Sequence, residues 1–336
     1  MNAHSRYRRT PRTIGVLLAL TATVVAAEVS LTGCSSGSAK AAPTPAPTTS
    51  SPAPSGPAQT NPLTGEGTAG HVLAVKVDNV GDAQFQQTGL NSADLVYAIQ
   101  VEGGLSRYLA VYDSDNAPPR VGPVRSARQT DIPLLAAFGH VGLAYSGAIS
   151  GLLPILAKAN LQNISPLTDA QLFSNSGSSP TYIQPAQVFD AFPNLAQAKD
   201  VGLRFGSLPS GGQPVSSVTA QMPAATFTFT AAGTRWLVSV DGHEAPSLDA
   251  GQLSTFNVII QHVQVVPGQF TDHNAAQPAN EVFSETTGHG AADFYRDGEV
   301  FHGQWSKPTD TSPTQYTVDG RTMVLSPGRS WIVLEG

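Results

Sequence analysis

The chain predicts an α+β fold, with an N-terminal α/β-type domain followed by a mostly antiparallel β C-terminal domain. Three observations carry that expectation. Helical signals are confined to the residues before 205, where they interleave with β-branched runs. Beyond residue 222 apolar and polar side chains alternate with a period of two, punctuated by the turn pairs Asp241-Gly242, Asp297-Gly298, Asp319-Gly320 and Pro327-Gly328. Between these regions lies a Gly/Pro/Ser-rich break at 206–221. The expected organisation is a signal segment at 1–33, a tether at 34–60, an α/β domain at 61–205, a linker at 206–221 and a β-rich domain at 222–336.

Arg6, Arg8, Arg9 and Arg12 precede an apolar run at 14–27, and Leu31-Thr32-Gly33-Cys34 follows. The run is short for a membrane span and has the build of a removable signal. It resembles a bacterial lipoprotein signal, in which Cys34 becomes the acylated (palmitate-type) N-terminus after cleavage. That resemblance implies an exported protein held by lipid on the outer face of the bacterial cytoplasmic membrane. Arg8-Arg9 is followed by Thr10-Pro11, which leaves the general and the twin-arginine export routes both open. Cys34 is the one cysteine, so a disulfide framework or a cysteine metal cluster within one chain is excluded. From 35 to 60 the chain is mostly Ser, Ala, Pro and Thr with Lys40 as its only charge. Such a tract cannot bury a core and serves as an extended leash.

Strands are expected at 72–77, before Asp78-Asn79, at 94–102, before Gly103-Gly104, and at 107–112. The two glycines suggest a hairpin or close connection. Helices are expected at about 130–138, at 148–160 with Pro154 as a kink or true start, and from 185 onward. A strand at 141–145 lies between the first two, and 173–180 is a loop. In the C-terminal part the strand candidates are 226–230, 235–240, 256–266, 291–296, 299–307, 315–318, 322–325 and 331–334. Trp236, Trp305 and Trp331 fall on these strands and are expected as core anchors.

The whole chain carries a net charge of -6. Without residues 1–33 it has 14 basic and 23 acidic side chains, hence -9. That balance argues against nucleic acid as a general partner, because a phosphate backbone demands a broad basic surface. Against this acidic background Arg120-Val121-Gly122-Pro123-Val124-Arg125-Ser126-Ala127-Arg128 packs three guanidiniums into nine residues. Guanidiniums present planar donor forks suited to carboxylate or phosphate. Either they form an anion-receiving corner, or they pair with internal acids such as Glu102, Asp113 or Asp131. The ligand-binding candidates are Arg107, Arg120, Arg125, Ser126, Arg128 and Asn79. Glu102 and Asp78 are the acid/base candidates; Asp94, like Asp78, Asn79, Glu102 and Arg107, is a polar group at a strand end that could line a cleft. A carboxylate beside two guanidiniums serves as their partner before it serves as a base. Ser126 lacks a Gly-x-Ser-x-Gly setting and is expected to cap the following helix. The histidines show no His-x-x-x-His spacing, so no metal or cofactor is expected.

Several stretches together resemble one family: Asn61-Pro62-Leu63-Thr64-Gly65, Ser92-Ala93-Asp94-Leu95-Val96-Tyr97, Val101-Glu102-Gly103-Gly104, the arginine stretch, Phe294-Tyr295-Arg296-Asp297-Gly298 and Leu325-Ser326-Pro327-Gly328-Arg329-Ser330-Trp331-Ile332. The chain is similar to the YerB-type bacterial lipoproteins, domain of unknown function 3048, which have an N-terminal and a C-terminal module. The resemblance implies envelope location and two modules, with no named activity. It departs at Ser176-Gly177-Ser178-Ser179-Pro180-Thr181-Tyr182, which lacks the arginines and the His-Asn of the corresponding loop of family members.

Three readings follow. The first is a non-enzymatic envelope lipoprotein binding an anionic wall component or an acidic envelope protein through an arginine-lined pocket. The second is a hydrolase or transferase acting on wall material. The third is a structural partner protein whose arginines are internal ties. The oligomeric state stays open.

Overall fold

A computed structural model describes residues 60–175, 181–272 and 279–336. Cys34, the tether and the loop at 176–180 lie outside the described residues.

The N-terminal part supplies β1 (Val72–Asp78), β2 (Leu95–Gln100), β3 (Ser106–Asp113), β4 (Val141–Ala144) and β5 (Leu161–Ile164), with short helices α1 (Asp131–Ala136), α2 (Leu153–Leu156) and α3 (Pro185–Ala191). The C-terminal part adds β6 (Ser217–Met222), β7 (Ala225–Ala232), β8 (Arg235–Val240), β9 (Asn257–His262), β10 (Val265–Asp272), β11 (Ala279–Ser284), β12 (Gly288–Arg296), β13 (Glu299–Lys307), β14 (Gln315–Val318) and β15 (Ser330–Glu335). Among the described residues, twelve strands form one large sheet. Its main order is Arg321–Thr322, β14, β13, β12, β9, β15, β2, β3, β1, β4, β5. The last strand of the chain therefore sits at the centre, paired in parallel with β2 on one side and β9 on the other.

The large sheet is covered on both faces, which explains why β1, β2 and β3 are apolar nearly throughout instead of alternating. One face packs on Leu134, Leu135 and Phe138 at and beyond α1. The other packs on the smaller sheet, through Phe227 and Phe229 of β7 and Trp236 and Val238 of β8. That smaller sheet has one solvated face, so its strands do alternate, as expected. Trp331 stands between the layers, edge-on to Tyr108 at 5.1 Å and to Phe229 at 5.9 Å. Each such pair adds about 0.5–1.5 kcal/mol beyond burial. Trp236, Trp305 and Trp331 are all buried, in line with their expected role.

The N-terminal part departs from a full α/β pattern. Its sheet is mixed, since β1 pairs antiparallel with β3 but parallel with β4, and its helices are few and short. The apolar residues at 130–138 and 148–160 give only α1 and α2, with Pro154 in the first turn of α2. Ile149, Leu152 and Leu156 are nonetheless buried. Apolar density marked core position there, and it did not require helix. Residues 206–221 are also more structured than a linker. Gln213–Pro214 pairs with β13, and β6 begins at Ser217.

Candidate functional site

The arginine stretch runs extended beside β1 before turning into α1. Asp78 donates its backbone N–H to the Pro123 carbonyl, and Arg125 donates to the Lys76 carbonyl. On the other side Ala127 donates to the Gly147 carbonyl, and Ser146 donates to the Arg125 carbonyl. The Gly122–Pro123 peptide bond is cis. A Cβ on Gly122 would stand 2.8 Å from the Tyr182 ring and 2.9 Å from the Thr181 carbonyl oxygen, so the approach demands glycine.

This course delivers the arginines to the ends of β1 and β2, each to a different fate. Arg128 is buried and grips Glu102 with both arms, Nε to Oε1 at 2.5 Å and Nη2 to Oε2 at 2.8 Å. Arg125 is half exposed and meets Asp78 at 3.2 Å. Arg120 is exposed, with its guanidinium 4.4 Å from the centre of the Tyr182 ring. Arg107 faces Asp78 in the β1–β3 register and is only 8% exposed. It has no carboxylate within ion-pair distance among the described residues. Its Nη1 makes one long bond, 3.4 Å, to the Ser126 carbonyl, and its Nε has no partner. Burial, with Arg128 adding repulsion, pushes the Arg107 guanidinium down to about 10.

Of the other candidates, Asn79 is spent internally: its amide donates to the Ser106 hydroxyl at 2.8 Å and accepts from Gln87 at 3.1 Å. Ser126 does not cap α1. The N-cap position belongs to Thr130, whose hydroxyl instead accepts the Ser284 N–H at 3.0 Å. The Asp131 carboxylate takes the Arg128 N–H at 2.7 Å. Asp113, one of the acids expected to hold an arginine, is engaged with the backbone N–H groups of Gly70 and Asp115.

Two charged groups of this corner escaped the sequence reading. Lys76 is fully buried on β1 and pairs with Asp131 at 2.6 Å. Burial pushes its ammonium down, and Asp131 opposes that shift. A lysine inside a strand otherwise apolar throughout was the available signal. Glu281 arrives from β11 of the C-terminal part and accepts the Gln129 N–H at 2.7 Å, while its other oxygen has no partner. Burial raises its carboxyl. No local pattern around Glu281 marks it. Four cations (Lys76, Arg107, Arg125, Arg128) and four acids (Asp78, Glu102, Asp131, Glu281) thus share the corner, and Arg107 and Glu281 stand outside the three ion pairs.

The class of fold is thus a mixed sheet shared by two sequence modules, with a buried charge cluster at its strand ends. Two family models match in turn, "Protein of unknown function (DUF3048) N-terminal domain" over residues 60–201 and its C-terminal domain counterpart over residues 216–332. The chain belongs to this family. It is 40% identical over 85 residues to the protein of Bacillus subtilis (strain 168) named "Putative lipoprotein YerB". That match spans 24% of this chain and 25% of that protein. The crystal structure of the YerB protein from Bacillus subtilis superposes with a TM-score of 0.69 at 21% identity, covering 82% of this chain and 96% of that one. This likeness establishes a common fold. No helix among the described residues is long and apolar enough to cross a membrane.

Proposed function

We propose that the chain is an envelope lipoprotein, anchored through acylated Cys34 to the outer face of the cytoplasmic membrane, that receives an anionic group at the corner formed by Arg107 and Arg125. The supporting observation is Arg107, a nearly buried guanidinium whose Nε has no partner and which lacks its own acid. Burying an ion without compensation costs several kcal/mol. A carboxylate or phosphate oxygen entering beside the half-exposed Arg125 would relieve that cost. The fitting ligands are a carboxylate of a wall peptide, a phosphate-bearing wall polymer or an acidic envelope protein. Binding is favoured over hydrolysis or group transfer at the expected acid/base pair because Arg128 holds both Glu102 oxygens and Arg125 pairs with Asp78 through Oδ2.

Affinity capture from envelope extracts tests the reading. Wild-type protein retains anionic wall material and releases it as salt is raised, whereas Arg125→Ala and Arg107→Gln retain markedly less. Equal retention by all three proteins refutes it. In parallel, fatty-acid labelling is lost in Cys34→Ala, and the protein then appears in the medium.

A further inference from the structure

At the opposite end of β2 from the arginine corner, a cleft of about 340 Å³ opens beneath the starts of three neighbouring parallel strands. The residue before each strand lines it: Asp94 before β2, Phe256 before β9 and Arg329 before β15. Thr64, Asn91 and Ser92 add hydroxyl and amide groups. With Asn116 included, the chain thus brings five distant segments to one cavity, and none of the arginine-stretch residues lines it.

Arg329 and Asp94 both face this space, yet no ion pair joins them among the described residues. The Arg329 guanidinium makes one bond, Nη2 to the Ser254 carbonyl at 3.3 Å, and its buried Nε has no partner. Asp94 is 2% exposed and accepts the Asp113 N–H at 2.6 Å through Oδ2. Phe256 lies under two guanidiniums, Arg235 at 4.9 Å and Arg329 at 5.7 Å. Gly328, with φ of 122°, makes room for that ring, since a Cβ there would overlap it. Burial raises the Asp94 carboxyl to about 7 and lowers the Arg329 guanidinium. Neither group has a partner within ion-pair distance among the described residues, although each feels the other's charge at longer range. The exposed Glu66 adds a second carboxylate to the lining.

We infer that this cleft binds a small zwitterion of the amino-acid or dipeptide kind, its carboxylate on Arg329 and its ammonium toward Asp94. A cation and an acid that line one cleft side by side, with no ion pair between them, match a molecule that carries the two opposite charges. The volume lies at the low end of ligand clefts, which run from roughly 300 to 1,000 Å³, and suits a small occupant. An anion alone would satisfy Arg329 and leave Asp94 worse placed; a cation alone would do the reverse.

Calorimetric titration of the full chain in detergent with alanine, alanyl-alanine, acetate, methylammonium and inorganic phosphate tests this. One of the two zwitterions binds at least about tenfold tighter than acetate, methylammonium or phosphate, as expected when half a ligand leaves a polar group unmatched. Arg329→Gln abolishes zwitterion and acetate binding, while Asp94→Asn weakens the zwitterion and spares acetate. Because a variant can misfold, the Arg329 Nε–H resonance of the wild-type protein is followed as well. It shifts with the zwitterion and stays in place with methylammonium. Acetate or phosphate binding as tightly as the zwitterion, no binding by any probe, or an unmoved Nε–H signal overturns the inference.

Discussion

Strand β2 is followed by Glu102 at one end and preceded by Asp94 at the other, and the two carboxylates have opposite surroundings. Glu102 is met by a guanidinium in bidentate geometry and joins a corner where three ion pairs fasten β1, β2 and the approach to α1. Asp94 is more deeply buried, its carboxylate accepts a single backbone N–H, and it lines a cleft beside Arg329 without forming an ion pair. One sheet thus uses charge in two ways. Where donor and acceptor meet, removal of one partner strands the other and the fold suffers. Where they are held apart, the fold already bears the desolvation cost and a ligand can relieve it. Arg107 is the exception within the paired corner, and it is the group on which the proposed anion site depends.

Breaking the paired end should have the largest effect. Lys76→Met leaves the buried Asp131 carboxylate without its cation, with an expected loss of about 3–5 kcal/mol in urea denaturation. A loss under about 1 kcal/mol would mean that the pair is not a fastening. Glu102→Gln should also destabilise. In a double-mutant cycle with Arg128→Met, the coupling energy should reach about 1–3 kcal/mol, since the two residues touch.

The open end should respond with the opposite sign. The folded Asp94 carboxyl titrates at about 7 against an ordinary aspartate value of 3.8, so between those pH values the folded state holds a proton that the unfolded chain has released. Stability from this group is therefore greatest below the unfolded value and falls as pH rises through the folded one, by about 1.4 kcal/mol for each pH unit between them. Asp94→Asn keeps an acceptor for the Asp113 N–H and should flatten that slope, leaving the variant more stable than wild type near pH 8. Thermal melts from pH 4 to pH 8 read this directly, and parallel slopes for the two proteins would refute it. The smallest effect belongs to Arg125→Ala. Its side chain is 52% exposed, so its pair with Asp78 should contribute less than about 1 kcal/mol.

The elements that could be read from the chain were those with a local cause. The Gly103-Gly104 connection between β2 and β3, the alternation in β7 and β8 and the Asp-Gly turns follow from backbone preference and a half-solvated sheet. Helix lengths misled because an apolar run at 148–160 reports burial and carries no statement about backbone geometry. Among site residues, Glu102 could be foreseen as a partner of the arginines, because charge in a charge-poor chain needs an opposite. Glu281 could not, since its place beside Gln129 depends on a hairpin from the other module folding back. Asp94 was visible as a polar strand start, but nothing nearby in sequence announced Arg329 as its counterpart.

Taken alone, the amino-acid sequence carries the family and the antiparallel β character of the C-terminal part, because each is written in periodicity or contiguous motif. The entry of the final strand beside β2 came from the three-dimensional fold, since parallel pairing joins residues with no local connection. That one pairing sets Arg329 beside Asp94, where both line one cleft.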